Sequence, residues 1–166
     1  MDSESKSALL EGAFSGRNDF QQLIRSAIAQ AAQEGWREMV WFDLNYADWP
    51  LGERSVEASL QDWSAAGRKL TIVAKRFDTI LASHHRFVVW RKQWSHIIEA
   101  RAVSAASDEE FPSLILSPQW AMQRLQPALC KGVAGSEPKR RVDLRELTQE
   151  WLAISSPAFP ATTLGL

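Results

Sequence analysis

The sequence predicts an α/β protein, a three-layer sandwich with a mostly parallel central sheet of at least four strands. Three observations predict it. Short apolar runs alternate with longer stretches of helical spacing, the signature of βαβ units. The run Leu70-Thr71-Ile72-Val73-Ala74 is almost continuously apolar, as a strand covered on both faces must be. Finally, parallel crossovers are right-handed almost without exception, so two in one direction place their helices on one face of the sheet. The first and last helices are then available for the other face.

The elements follow in order. Residues 1–17 lack periodicity and read as a flexible arm before a single domain over 18–155, with 156–166 an extended tail. Asn18-Asp19-Phe20-Gln21 has the form of a capping box, and Phe20, Leu23, Ile24, Ala27, Ile28 and Ala31 recur at helical spacing up to Gly35. Met39 to Tyr46 is a buried strand that breaks at Asp48-Trp49-Pro50-Leu51-Gly52. Val56, Leu60 and Trp63 mark a second helix ending at Gly67, and Leu70 to Ala74 is the second strand. A third helix spans about 77–95, with Phe77, Ile80, Leu81, Phe87, Val88 and Trp94 on one broad side. Ile97 to Val103 is a third strand with Glu99 and Arg101 on a wetter face, and Ser113 to Leu116 a fourth. Trp120 to Leu125 reads as one or two helical turns, and Gly132 to Arg141 as a flexible loop. A second capping box at Asp143-Leu144-Arg145-Glu146 opens a last helix through Leu147, Trp151 and Ile154.

Composition narrows the function classes. The chain has 166 residues, 45% of them hydrophobic and 23% charged, which suits one globular domain with no need of a disulfide or metal staple. Nineteen basic residues against twenty acidic leave a net charge of -1, no global attraction for phosphates or anionic lipids. Nucleic acid is therefore an unlikely partner on charge grounds, and no apolar run approaches a membrane span. A lone cysteine, Cys130, and an N-terminus without a basic start or apolar stretch predict a cytoplasmic protein. Eight tryptophans against one tyrosine promise either a heavy aromatic core or interface anchors.

The common chemistries leave no trace. There is no Gly-x-Gly-x-x-Gly, no Walker loop, no Gly-x-Ser-x-Gly elbow and no zinc spacing, so no cofactor or metal is expected. Asp43 is the most informative single residue. It lies toward the carboxyl end of the first strand, where open parallel sheets bind ligands, with Asn45 two residues on and Asp48 in the following loop. A carboxylate in an apolar strand costs several kcal/mol unless paired or hydrated, so Asp43 is either a binding group or a structural anion bonded to loop backbone or a core cation. His84 and Arg91 fall about two turns apart on the inward side of the third helix. There His84 reads as an acid–base group or a satisfied core histidine. Arg91 pairs with a carboxylate or snorkels to water. Lys139-Arg140-Arg141 is a short basic run, more often a solvated loop than a phosphate site.

The segment Ser59-Leu60-Gln61-Asp62-Trp63-Ser64-Ala65-Ala66-Gly67-Arg68, followed by Lys69-Leu70-Thr71-Ile72-Val73, resembles one half of a phospholipase D-like domain. In that family a first helix and strand lead to a helix ending in small residues and Gly-Arg, then a second strand. The similarity runs from Asp19 to about Leu116. The family's His-x-Lys-x4-Asp motif is missing: Pro112 to Ser117 contains neither His nor Lys, and His84-His85-Arg86 has Arg91 where Asp is required. The resemblance therefore implies a degenerate, non-catalytic half-domain, and the family's pairing of halves implies a homodimer. The sequence thus points to a non-catalytic α/β domain that binds a protein partner or itself. The rival is a small enzyme acting through Asp43, Asn45 and Asp48 with His84 reaching over. A third reading is weak nucleic-acid contact through Lys139, Arg140 and Arg141.

Overall fold

In the computed structural model, which describes residues 9–161, eight strands share one sheet. Along the chain run β1 (Gly12–Phe14), α1 (Arg17–Glu34), β2 (Glu38–Phe42), α2 (Arg54–Trp63), β3 (Lys69–Ala74), α3 (Asp78–Ser83), α4 (His85–Gln93) and β4 (Ile98–Ala102). Then come β5 (Leu114–Leu116), β6 (Ala121–Gln126), β7 (Lys131–Gly135), α5 (Pro138–Ala153) and β8 (Ser156–Pro157). The strand order is β1-β7-β6-β5-β2-β3-β4-β8.

The sheet is mixed and mostly antiparallel, which corrects the mostly parallel sheet expected from sequence. Only β2–β3 and β3–β4 pair in parallel, with Trp41 opposite Ile72 and Ile72 opposite Ala100. The pairs β1–β7, β7–β6, β6–β5, β5–β2 and β4–β8 are antiparallel. The physical reason is connection length. A parallel neighbour needs a crossover of a dozen or more residues, and the links between β5, β6 and β7 are tight turns. The residues read as helical turns at 120–125 and as a loop from 132 are therefore the hairpin strands β6 and β7, and α5 starts at Pro138, earlier than its supposed capping box.

The first helix lies on the face of the second and third, not opposite them. The cause is β1, at residues 12–14 in the segment read as an arm. Four antiparallel steps separate β1 from β2, so the two point the same way, and α1 is itself a crossover in the direction that β2, β3 and β4 continue. Three crossovers of one hand and one direction cover one face. There Trp41, Ile72, Ile115 and Met122 of the sheet meet Phe20, Ile24, Leu60 and Trp90 of the helices. The opposite face packs Phe42, Val73, Leu114 and Leu116 against Leu144, Leu147 and Trp151 of α5.

Local chemistry explains the smaller departures. Helix α1 begins at Arg17 with Gly16 at the N-cap, which has no side chain to accept from the free N–H groups, and Asn18 of the capping-box pattern lies inside the helix. Gly35 closes the same helix in the left-handed conformation that lacks a Cβ penalty. The third helix is two, broken at His84, which is why Leu81 falls out of the apolar stripe and is exposed. Trp36, Trp41, Trp49, Trp63, Trp90 and Trp120 are buried, so most of the tryptophan excess is core. Among the described residues no helix is long and apolar enough to cross a membrane.

Candidate functional site

The strands β1, β2, β3, β4 and β6 all end on one edge of the sheet, and the hairpin turn of β6 and β7 rises there. Asp43, the first residue beyond β2, is buried at this edge. Its Oδ1 accepts from the Ser113 hydroxyl at 2.7 Å and from Arg124 NH2 at 2.6 Å. Its Oδ2 accepts the backbone N–H groups of Asn45 at 3.2 Å and Tyr46 at 2.8 Å. That second pair holds Tyr46 at φ 63°, a conformation a tyrosine adopts only when its surroundings impose it.

Arg124 completes the cluster. It is only 6% exposed and sits with Met122 on the inner side of β6. It donates through Nε to Ser113 Oγ at 2.9 Å and through NH1 to Asp48 Oδ2 at 2.9 Å and to Cys130 Sγ at 3.3 Å. The guanidinium lies 4.2 Å over the Phe20 ring, a cation–π contact in a desolvated setting. Burial opposes its charge, but the field of Asp43 and the hydrogen bonds to Asp48, Asp43 and Cys130 outweigh that and raise its pKa. Arg17 reaches the other oxygen of Asp48 at 3.2 Å on the exposed side.

A cleft of about 290 Å³ opens above this network, walled by Asn45, Asp48, Asp108, Phe111, Pro127 and Ala128 among others. Asp43 and Ser113 are nearly sealed beneath it. Their chemistry is spoken for: the Ser113 proton is aimed at Asp43, and Arg124 occupies a Ser113 lone pair. The groups left for a visitor are the Asn45 side chain, which already accepts from Ala47 N–H at 3.0 Å, and the outer parts of Asp48; Asp108 on the rim is paired with Lys75 at 2.6 Å and Arg76 at 3.3 Å. A larger hollow of about 470 Å³ lies beside it, lined by Phe14, Ser15, Asp19, Leu125, Gln126 and Lys131 among others.

The structure brings Asp43, Asn45 and Asp48 together. His84 is tied in only through Tyr46: its Nε2 lies 2.9 Å from the Tyr46 carbonyl oxygen, buried behind the turn. Tyr46 in turn donates its hydroxyl to Val73 O at 2.9 Å, and burial, with the Asp43 charge adding to it, pushes the phenol well above its usual pKa. Arg91 is elsewhere. Its Nε and NH2 both donate to the Phe159 carbonyl oxygen, at 3.1 and 3.0 Å, and its desolvation lowers its pKa. Lys139 pairs with Asp143 on the exposed surface, Arg140 with Glu137, and Arg141 donates to the Pro118 and Ser136 carbonyls. Among the described residues no three His, Cys, Asp or Glu gather as metal ligands.

Sequence reasoning missed Arg124, Ser113 and Cys130. One signal was present: Arg124 sits two residues after Met122, on the inner face of what is a strand once its period is read as two.

No protein-family model matches the chain, and no curated protein does. Among solved structures the chain is similar to TrmBL2, an archaeal chromatin protein whose structure shows a novel mode of DNA binding, with a TM-score of 0.62 and 10% identity. The likeness covers 90% of this chain and 54% of that one, so the chain spans about half the length of TrmBL2. At that identity the likeness is one of fold.

Proposed function

We propose that the chain is a non-catalytic α/β binding domain that associates with a second copy of itself through the β6–β7 turn. The observation that carries this reading is the exposed apolar tip Leu125-Gln126-Pro127-Ala128-Leu129, in which both leucines are 58% exposed. Exposed leucines flanking a cleft, rimmed by polar residues, are what an interface core looks like before its partner arrives. Charge supports a second copy as that partner. Lys131 closes one side of the tip with no salt bridge among the described residues, and across the cleft rises an acidic turn in which Lys75 and Arg76 pair with Asp108 while Glu109 and Glu110 are exposed without a salt bridge among the described residues. In a two-fold contact the basic side of one copy faces the acidic side of the other.

The non-catalytic part of the reading is supported by the engagement of Asp43, Ser113 and His84 in internal hydrogen bonds. The rival enzyme has a cleft at the expected place, but its carboxylate lies under a guanidinium. We include in the proposal a distant relationship to phospholipase D-like half-domains, supported by the Ala65-Ala66-Gly67-Arg68 turn leading into β3, and a cytoplasmic setting. Sedimentation velocity over a wide concentration range tests the reading. The wild type should dimerise, and the paired change Leu125→Asp, Leu129→Asp should hold it monomeric without loss of fold. A wild type that stays monomeric at the highest concentration contradicts it.

DNA is a second reading, brought in by the fold likeness to TrmBL2. Lys139, its side chain 86% exposed, and Arg145 on the same helix are the groups to test. Binding that weakens with salt and with Lys139→Glu, Arg145→Glu supports it; binding indifferent to salt ends it.

A further inference from the structure

The chain's last described segment does something unusual. It leaves α5 on one face, pairs as β8 with β4 (Arg101 opposite Pro157, Ala102 opposite Ser156), and carries Phe159 round the sheet edge into the core of the other face. Ala158 N–H donates to Ala100 O at 3.0 Å. Phe159, 6% exposed, stacks on Phe77 at 5.0 Å and on Phe87 at 6.4 Å. Its backbone is held at φ 47°, in the region that disfavours a side chain.

Arg91 at the end of this groove is incompletely used. It is 6% exposed, and no salt bridge joins it among the described residues. Two of its N–H groups converge on one neutral carbonyl oxygen, and NH1 is buried with no partner among the described residues. A fork of guanidinium donors is shaped for the two oxygens of a carboxylate. A chain that ended at the residue occupying the Phe159 position would put its second oxygen where the Pro160 nitrogen lies, and that nitrogen has no proton to lose.

We infer that the groove between the β4 edge, Phe77, Phe87 and Arg91 is a binding site for an extended peptide with an aromatic C-terminal residue, filled in this structure by the chain's own residues 155–159. The β4 edge supplies main-chain pairing, the two phenylalanines select the aromatic side chain, and Arg91 selects the free carboxylate. The chain's own tail is a built-in competitor. Tethered, it acts at an effective concentration on the order of millimolar, and its Phe159 carbonyl meets Arg91 without charge. This site is separate from the β6–β7 turn and does not depend on self-association.

The test uses the full chain with Phe159→Ala, which weakens the tail, and the labelled peptide Ser-Ser-Pro-Ala-Phe as free acid and as C-terminal amide. Fluorescence anisotropy should show the acid binding at least about tenfold tighter than the amide. The wild type should bind the acid at least about tenfold more weakly than the Phe159→Ala chain. Adding Arg91→Gln should erase the preference for the acid while leaving a folded far-UV spectrum. Equal affinity for acid and amide, or no binding by a folded Phe159→Ala chain, overturns the inference. Should Phe159→Ala not fold, excess peptide is added to the wild type and hydrogen exchange followed at the Ala158 amide. The acid should then accelerate exchange by about tenfold where the amide does not, and no acceleration by the acid overturns the inference equally. Sedimentation stays unchanged throughout, so its failure and that of the self-association reading are told apart.

Discussion

Asp43 and Arg124 form an ion pair in which both partners are almost wholly out of water, at 2.6 Å. Such a pair adds little net stability relative to apolar residues of the same shape, yet removing one partner strands the other and costs about 3–5 kcal/mol. Arg124→Met keeps the contact with Phe20 and removes the charge, so urea unfolding should show a loss of that size. The double change Asp43→Asn, Arg124→Met should cost clearly less than the two single changes added together, since each already breaks the same network. Additivity would mean that the pair is not coupled as its geometry requires. Tyr46 gives a second prediction at this scale. Its folded pKa is raised above its unfolded value near 10, because a phenolate is disfavoured in the core and beside Asp43. The unfolded chain therefore loses the proton first. Stability is full below about pH 10 and falls as pH rises above it, until the folded phenol also ionises. It is the chain's one tyrosine, so phenolate absorbance reports it alone and should appear together with loss of the fold. Tyr46→Phe should flatten the alkaline fall at a cost of about 1 kcal/mol for the lost bond to Val73 O.

At the scale of elements, the β1–β7–β6 side of the sheet depends on a close approach. A Cβ on Gly132 would overlap the Gln123 carbonyl oxygen and come within 2.7 Å of the Phe14 ring and 2.8 Å of the Arg124 Cα. The two backbone atoms cannot yield without moving a strand. Gly132→Ala should thus destabilise by about 3 kcal/mol, the upper part of the usual range for overpacked cores. Thermal unfolding checks it, and a melting temperature unchanged from wild type would show that the strands can part. Much of the parallel half was legible because β2 and β3 are apolar runs and β4 an alternating one, each separated from the next by helical sequence: the three fall within the strands read at Met39 to Tyr46, Leu70 to Ala74 and Ile97 to Val103. The antiparallel half was legible only at β5, which falls within the strand read at Ser113 to Leu116. β1 is three residues long, too short to show a period. β6 alternates Met122, Gln123, Arg124, Leu125, but its inward cation and outward leucine invert the usual pattern, so a strand reads as a helical turn. For the site, Asp43 was legible as a carboxylate in apolar surroundings and Asn45 and Asp48 as its neighbours. Arg124 arrives from 81 residues away, and no local pattern carries that distance.

For the whole molecule, six tryptophans and the Asp43–Arg124 pair are buried in the interior. The two proposals rest on the leucine-tipped turn at the strand ends and the Arg91 groove at the far edge of the sheet. The first is tied to the core directly: Cys130, at the base of the turn, accepts from Arg124, so the cluster around Asp43 sets the pose of the tip. Arg124→Met should therefore weaken self-association as well as stability, whereas Leu125→Asp should weaken association alone. Sedimentation and urea unfolding of the same samples separate the two effects.

The most direct measurement is hydrogen exchange of the wild-type chain at dilute and at high concentration. Association through the strand-end edge predicts added protection over residues 125–131 and the acidic turn 107–110, and nowhere else. Exchange that does not change with concentration, or protection that appears on another face, contradicts the account.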